Sequence, residues 1–300
     1  MNADDFGLTP GINRAVIDLH QAGVLSSTTL MATGPAFEEA TDLTRRHPSL
    51  SVGCHIVLLD GTPVLSPELI PSLVVPVAHA NERAGLRPTL AAFILALSLG
   101  RLREVDLYRE ALAQTEKLQQ SGIRVTHLDT HKHTHVFPLV TRVLLRVARE
   151  LGIPAIRNPF EPRWNRRLRQ GNAMRRLQIR SLAALETSFR REPGFRASAG
   201  FTLPSSGAPH SERTIQTTDG TLAISATGSL DGPRLRDVLM HLPEGTWELC
   251  CHPAYVDADL SHVRTRLRQQ REIEREALLE VIPDVINRDS SLRLINYGDL

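Results

Sequence analysis

The residues best suited to chemistry are concentrated between Thr126 and His135, a stretch that contains four of the twelve histidines and one aspartate. In an extended strand alternate side chains face the same way, so His127, Asp129 and His131 would share one face. Burying imidazole and carboxylate groups is costly unless they have partners, and a metal ion or a catalytic site would supply them. The alternative is a solvent-exposed histidine cluster without a chemical role.

Further polar groups lie where other predicted strands end. An Asp4-Asp5 pair stands at the start of the sequence, His55 lies in a β-rich stretch, and His252 follows an apolar one. Together with His131, these carboxylates and imidazoles suit a catalytic divalent metal, and the mixed donor set is compatible with zinc, cobalt, nickel, manganese or magnesium. The alternative for Asp4-Asp5 is a turn held by local side-chain to backbone hydrogen bonds.

Two cysteines directly precede candidate site histidines, Cys54 before His55 and Cys251 before His252. A thiolate zinc site is therefore an alternative. Adjacent residues of a strand face opposite sides, however, so histidines that face the site would turn both cysteines toward the helices. We predict that Cys54 and Cys251 are small buried residues.

The apolar patterns predict strands that alternate with helices. After a very short first strand, the predicted strands span residues 27–33, 50–59, 124–131, 154–158, 221–226, 247–251 and 292–297. The predicted helices span residues 10–22, 36–46, 91–99, 104–120, 138–151, 233–242 and 260–282, and the one at 91–99 should be buried. Such alternation indicates a parallel sheet, and about seven or eight strands favour a distorted (β/α) TIM-like barrel.

In such a barrel the active site is built from the C-terminal ends of the strands. Asp4, Asp5, His55, His131 and His252 should therefore converge on one mouth of the barrel.

Composition excludes several classes of protein. With 300 residues and 41% hydrophobic content the chain can bury a sizeable core, and a net charge of +2 argues against a general nucleic-acid binder. Three cysteines form no disulfide framework, so we expect a reducing, cytoplasmic compartment. The sequence contains no apolar run of about 18 residues and no signal-peptide pattern, so we expect no membrane insertion.

Residues 161–196 contain ten arginines and few acids. One interpretation is a surface that binds nucleic acid or an anionic ligand. We favour a solvated helical face whose leucines point to the core. An intermediate hypothesis is that these arginines border a site for an anionic or oligomeric substrate.

Five motifs occur in order along nearly the whole chain: Asn2-Ala3-Asp4-Asp5-Phe6-Gly7-Leu8, Ser27-Thr28-Thr29, Gly53-Cys54-His55, the stretch from Thr126 to His135, and Cys251-His252-Pro253. Together they resemble the motifs of the YdjC/ChbG-like carbohydrate deacetylases. The resemblance implies a distorted (β/α) barrel, one divalent metal ion with Mg²⁺ in first place, and hydrolysis of the N-acetyl group of an amino sugar or oligosaccharide.

Carried over by position, the resemblance implies that Asp5, His55 and His131 bind the metal. It also implies that Asp4 is the general base and His252 the candidate acid. Asp129 would orient one of the histidines.

The resemblance implies one domain over residues 1–300, with variable, loop-rich insertions at about 60–100 and 161–219. The family has a short apolar strand before the Asn2 motif, and Met1 stands where that strand should end. We therefore expect either a chain start placed too late or a missing barrel strand.

Other classes of function remain open from the sequence. A different metal-dependent amidohydrolase or a phosphoesterase on a similar barrel would explain the ligands but not the order of the motifs. A non-catalytic sugar-binding module would not explain a second aspartate beside a metal ligand. The expected partner is a small-molecule or oligosaccharide substrate rather than nucleic acid, and the sequence is compatible with a homodimer.

Overall fold

The computed structural model describes residues 1–75, 84–162, 164–165, 185–192, 195–197 and 214–300. The strands are β1 Asn2–Phe6, β2 Ser27–Leu30, β3 Ser51–Ile56, β4 Val74–Val75, β5 Gly85–Leu86, β6 Val125–Thr130, β7 Ala155–Ile156, β8 Phe195–Ala197, β9 Ile215–Thr217, β10 Gly220–Leu222 and β11 Trp247–Cys251. The labelled helices are α1 Pro10–Gln21, α2 Phe37–Arg46, α3 Leu90–Ser98, α4 Glu104–Gln120, α5 Pro138–Leu151, α6 Gly232–Met240, α7 Ala258–His262 and α8 Gln269–Arg288. Most of the arginine-rich stretch and of the predicted insertion at 161–219 lies outside the described residues.

Nine of these strands form one sheet in the order β10-β11-β1-β2-β3-β6-β7-β9-β8, and every neighbouring pair is parallel. The edge strand β10 forms hydrogen bonds with the segment that directly follows β7. There Thr221 donates its backbone N–H to the Phe160 carbonyl and its hydroxyl to the Asn158 carbonyl, 2.6 Å away. The sheet is therefore nearly closed, and the predicted distorted barrel is confirmed.

The first helix illustrates how local sequence fixes an element. The Thr9 hydroxyl accepts a hydrogen bond from the Ile12 N–H at 3.2 Å, and Pro10 occupies the first turn, where no N–H donor is needed. The apolar side of α1 is buried against the sheet. Helix α1 thereby connects β1 to β2 as a crossover of a parallel sheet.

The motif that begins at Asn2 itself forms β1, which is fully buried between β11 and β2. A barrel strand is therefore present at this point, formed by the motif itself, and the alternative that the chain start is placed too late stays a prediction. The motif was interpreted as the loop after a strand, whereas residues Asn2–Phe6 are the strand.

Two other predictions also need correction. No strand spans residues 292–297; the chain there is extended and then turns at Tyr297–Asp299, where Tyr297 donates its N–H to the Ser27 hydroxyl instead of joining a ladder. Helix α3 exists, but it is largely exposed, with Leu95 at 58% and Leu99, the residue directly after the helix, at 53%. A segment that is apolar on all sides does not reveal which side is covered.

The other predicted elements are found with shifted ends. The predicted helix over residues 260–282 is two helices, α7 and α8, separated by a short connection. Within the described ranges, no helix combines the length and apolar character needed to cross a bilayer.

Candidate active site

The structure brings all five predicted site residues to one end of the barrel, where β1, β3, β6 and β11 end. His55 and His131 lie beside Asp5, and the Nε2 atom of His252 lies 3.8 Å from Oδ2 of Asp4. The parallel arrangement of the strands is what places these side chains together.

Asp5, His55 and His131 present three potential ligand atoms in a nearly equilateral triangle. Asp5 Oδ1 lies 3.6 Å from His55 Nε2 and 3.5 Å from His131 Nδ1, and the two nitrogens are 3.4 Å apart. Metal–ligand bonds of about 2.0–2.2 Å at tetrahedral angles separate ligand atoms by roughly 3.3–3.6 Å. The spacing and the donor types therefore fit one divalent metal ion, and a 19% exposed His131 side chain leaves one side of the triangle open to solvent.

A backbone irregularity in β1 allows two adjacent aspartates to reach the same site. In a regular strand Asp4 and Asp5 would face opposite sides of the sheet. Asp5 instead has a φ of +68°, and the pairing of β1 with β2 shifts register between Ala3 and Phe6. A left-handed residue costs on the order of 1–3 kcal/mol, a cost that is tolerated mainly at functional sites.

His55 is oriented from behind by Asp129, as the sequence predicted. The His55 Nδ1 atom lies 2.8 Å from an Asp129 oxygen, so a proton on Nδ1 leaves the Nε2 lone pair directed at the triangle. Burial alone would lower the pKa of His55, but Asp129, Asp4 and Asp5 outweigh it and raise this pKa to about 9. The same negative surroundings would attract a metal cation.

His131 begins a short turn, His131–Val136, that follows β6 directly. Lys132 and His133 both have left-handed backbone conformations, with φ of +56° and +52°. This sharp turn ends the strand at the mouth of the barrel. It thereby places the side chains of His131 and His133 beside the two aspartates.

Asp4 belongs to a different charge network, centred on the fully buried Arg157. The two terminal nitrogens of Arg157 donate to the two oxygens of Asp4 at 2.9 and 2.6 Å. Arg157 also contacts Asp129, and its Nε donates to Glu248 at 2.8 Å. Burial would raise the pKa of Asp4, but Arg157, with smaller contributions from His55 and His252, outweighs it and holds this pKa well below its usual range.

His252 directly follows β11, which pairs with β1 on the side away from β2, β3 and β6. Burial lowers the pKa of His252 to about 4, although Asp4 and Asp5 oppose this shift. Burial therefore favours the neutral form of His252 in the resting site. Its Nδ1 atom is buried and has no hydrogen-bond partner among the described residues.

Helix α8 contributes two site residues that the sequence analysis did not single out. Arg271 donates to Oδ2 of Asp5, which leaves Oδ1 of that carboxylate to the two histidines. Glu274 accepts the backbone N–H of His252 at 3.2 Å. In the sequence both residues resemble the charged surface of a solvated helix.

Arg157 and Glu248 were also missed. Each is a single charge at or within a short apolar strand, and this was the signal that could have found them. A charge in such a position must be paired because it is buried.

The histidine stretch divides between two levels of the barrel. His127 lies deeper than the triangle, where its ring stacks on Tyr297 at 3.7 Å and its Nε2 lies 3.1 Å from the Asn2 side-chain oxygen. A side chain at Gly53 would collide with the His127 ring, so this position accommodates only glycine. His127 therefore supports the floor of the site.

Of the cysteines, Cys54 and Cys251 are buried, and neither belongs to a group of potential metal ligands among the described residues. The Cys251 thiol donates to the Asn2 carbonyl. Cys250, which alternates with Cys251, faces inward instead, and its sulfur lies 3.4 Å from Oδ2 of Asp4.

A nearly closed parallel barrel with carboxylates and imidazoles at the C-terminal ends of its strands places the protein among the (β/α)-barrel proteins. The family model for YdjC-like proteins matches residues 1–282 of the chain. The protein therefore belongs to the YdjC-like family, and the resemblance seen in its motifs is confirmed.

Curated relatives of the chain are named carbohydrate deacetylases. The Thermoanaerobacter pseudethanolicus protein is 26% identical over 302 residues, which cover 100% of this chain and 98% of the relative. The Brevibacillus brevis protein is 34% identical over 160 residues, 53% of this chain, and the Geobacillus stearothermophilus protein is 38% identical over 154 residues, 51% of this chain. In these two matches the chain spans only 58% and 57% of the relatives' lengths.

A solved structure from Enterococcus faecalis V583, described as a "putative cellobiose-phosphate cleavage protein", has a similar fold. It superposes with a TM-score of 0.70 at 26% identity, and the match covers 99% of this chain and 95% of that one. The likeness extends over the whole barrel.

Proposed function

We propose that the protein is a metal-dependent hydrolase that removes the N-acetyl group from an N-acetylated amino sugar or oligosaccharide. The observation that supports the proposal is that the adjacent carboxylates of Asp4 and Asp5 have different partners. Asp5 forms a metal-ligand triangle with two imidazoles, and Asp4 is held ionised beside it by Arg157. That the substrate is a carbohydrate and that the group removed is an acetyl group are inferred from the relatives, which are named carbohydrate deacetylases.

Asp5, His55 and His131 would hold the metal, for which the resemblance favours Mg²⁺ and the nitrogen-rich donor set also suits Zn²⁺. When bound, a divalent ion lowers the pKa of a water molecule and polarises the carbonyl to be attacked. Asp129 hydrogen-bonds His55, and Arg271 hydrogen-bonds Asp5, and these contacts would keep Nε2 of His55 and Oδ1 of Asp5 available to a metal.

Asp4 is the proposed general base. Its carboxylate is ionised at neutral pH because Arg157 pairs with it, so it can accept the proton of the attacking water. The same pairing makes Asp4 a weak base, and the proton must therefore move on. His252 lies 3.8 Å away and is neutral in the resting site.

His252 is the proposed acid, acting after it has received a proton. The proton taken from water by Asp4 passes to His252 and then to the nitrogen of the leaving amine. Acetate and the free amino sugar are the products, and both groups return to their resting charge. This route accounts for a histidine that is neutral at rest and still serves as a proton donor.

An acetate-release assay tests the proposal. Chelator-treated protein should release no acetate from a panel of N-acetylated sugars, from N-acetylglucosamine to short chito-oligosaccharides, and adding Mg²⁺ or Zn²⁺ should restore release. p-Nitrophenyl phosphate serves as the comparison substrate for a phosphoesterase. Metal-dependent phosphate release without acetate release would replace the proposal with that alternative.

The homodimer with which the sequence is compatible, and the lack of nucleic-acid binding, stay predictions.

A further inference from the structure

A second group of potential metal ligands lies beside the Asp5 triangle. Asp4, His133 and Cys250 each present one ligand atom, and the three atoms lie within 4.8 Å of one another. Cys250 takes part because alternate residues of β11 face the same way, so it shares the inner side with His252. The proposed reaction uses neither Cys250 nor His133.

The distances suit a metal that binds sulfur. The Cys250 sulfur lies 3.4 Å from Oδ2 of Asp4. Zinc–sulfur and zinc–oxygen bonds of about 2.3 and 2.0 Å at a tetrahedral angle would place these atoms roughly 3.5 Å apart. His252 Nε2 lies 3.8 Å from the same Asp4 oxygen and is a candidate fourth ligand.

The charge around this group favours a cation. Arg157 is surrounded by three carboxylates, those of Asp4, Asp129 and Glu248. The three carboxylates outnumber this guanidinium, and His55, whose pKa the carboxylates around it raise to about 9 despite its burial, supplies only part of the compensating positive charge. A donor set of sulfur, nitrogen and oxygen selects zinc or cobalt over magnesium.

The group can be reached from the mouth of the barrel. Cys250 and Asp4 are buried, but His133 is only partly buried and the His252 side chain is 13% exposed. The two imidazoles are therefore more accessible to solvent than the thiol.

We propose that Asp4, His133 and Cys250 form a second, inhibitory site for a sulfur-binding divalent cation of the zinc type. On binding, the Cys250 thiol releases its proton to solvent and the sulfur becomes a ligand. The existence of the site is independent of the reaction. Inhibition rests on the proposed function, because an Asp4 carboxylate bound to a metal cannot accept the proton of water.

A titration with Co²⁺ alone tests the site by spectroscopy. Wild-type protein should bind two equivalents, and one of them should give the intense near-ultraviolet charge-transfer band of a cobalt thiolate. Cys250→Ser should abolish the band and weaken binding of that equivalent at least tenfold. Cys251→Ser changes the neighbouring buried thiol, which faces away from Asp4, and should retain the band.

The second experiment measures the effect of Zn²⁺ on acetate release. Acetate release by wild-type protein should rise with the first equivalent and fall with excess Zn²⁺, whereas excess Mg²⁺ should not inhibit. Relative to its own maximum, Cys250→Ser should need at least tenfold more Zn²⁺ for the same inhibition. If no acetate is released under any condition, the proposed function fails. The cobalt–thiolate band then still tests whether Asp4, His133 and Cys250 bind a metal.

A wild-type protein that shows no thiolate band with two or more equivalents of Co²⁺ would overturn the proposal. A band that persists in Cys250→Ser would do the same. If Cys250→Ser does not fold, the experiment on this variant is replaced by X-ray absorption spectroscopy of wild-type protein with two equivalents of Zn²⁺. The proposal then requires a sulfur ligand at about 2.3 Å, and only nitrogen and oxygen ligands would contradict it.

Discussion

At the scale of single residues, adjacent aspartates acquire different roles through their cationic partners. Arg157 occupies both oxygens of Asp4, and Arg271 occupies only one oxygen of Asp5. The free oxygen of Asp5 faces His55 and His131, where a metal would lie. Asp4 keeps its charge, but both of its oxygens are bound to Arg157, so it is not a ligand in that triangle.

Replacing Asp4 with asparagine tests the role of the base. Asp4→Asn keeps the shape of the side chain and removes its basicity, so acetate release should fall at least about a hundredfold. The Mg²⁺ content after loading with Mg²⁺ alone, measured by plasma mass spectrometry, should stay at the wild-type value. A variant that keeps a tenth or more of the wild-type rate would assign the base to another group, with Asp129 as the first to examine.

The role of His252 is tested by the nature of the leaving group. If His252 protonates the leaving amine, His252→Ala should lower amide hydrolysis on the order of a hundredfold or more. The loss should be smaller for an aryl acetate ester, whose leaving group needs no proton. Equal losses on amide and ester would indicate a positioning role, and loss of metal would make His252 a ligand.

At the scale of elements, helix α8 packs charged residues into the site. Arg271 and Glu274 lie one turn apart on its buried side. Arg271 is neutralised by Asp5, whereas one oxygen of Glu274 has no hydrogen-bond partner among the described residues. Burial raises the pKa of Glu274 to about 8, well above its ordinary value of 4.5.

This raised pKa predicts a pH dependence of stability. Between about pH 4.5 and 8 the folded protein holds a proton on Glu274 that the unfolded chain releases, so the stabilisation present at low pH is lost as the pH rises. Glu274→Gln removes this loss. Between pH 5 and 8 its free energy of unfolding, from urea titrations, should improve relative to wild type by a few kcal/mol.

Glu276→Gln, at an exposed position of the same helix, is the matched control and should follow the wild type at both pH values. If Glu274→Gln also parallels the wild type, Glu274 is ionised in the folded protein.

The sequence predicted the positions of the strands and helices better than it predicted which of their side chains are buried. Alternating apolar patterns located most of the strands and helices, and the strand ends located five candidate residues that the structure brings together at one end of the barrel. The pattern did not reveal Arg157 or Arg271, because a charge in a sequence is normally solvated and only the three-dimensional partners show that it is buried. The exposure of α3 was missed for the converse reason, since its sequence is apolar on all sides but only Phe93 and Ala96 are buried.

At the scale of the whole molecule, the C-terminal segment secures the floor of the barrel. The buried Tyr297 ring stacks on His127, and its hydroxyl donates to Glu248, which in turn binds Arg157. Residues distant in sequence are thus joined beneath the site. No periodicity in the sequence predicts this contact, because it depends on how the sheet curves.

Removing the Tyr297 side chain should therefore destabilise the fold. Tyr297→Ala leaves a cavity under the site and an unpaired Glu248 oxygen, and we expect a loss of about 3–5 kcal/mol in the free energy of unfolding. Tyr297→Phe keeps the stacked ring and loses only the hydroxyl, so its loss should be about 1–3 kcal/mol. Equal losses in the two variants would show that the hydroxyl, not the ring, provides the stabilisation.

The central claim is that Asp5, His55 and His131 bind one divalent metal ion. The most direct test is the Mg²⁺ or Mn²⁺ stoichiometry of the wild type and of the three single alanine variants, measured by calorimetric titration of metal-depleted protein. The account predicts one equivalent for the wild type and for His252→Ala, and sharply weakened binding in each of Asp5→Ala, His55→Ala and His131→Ala with the fold retained. Full occupancy in all three alanine variants would contradict it.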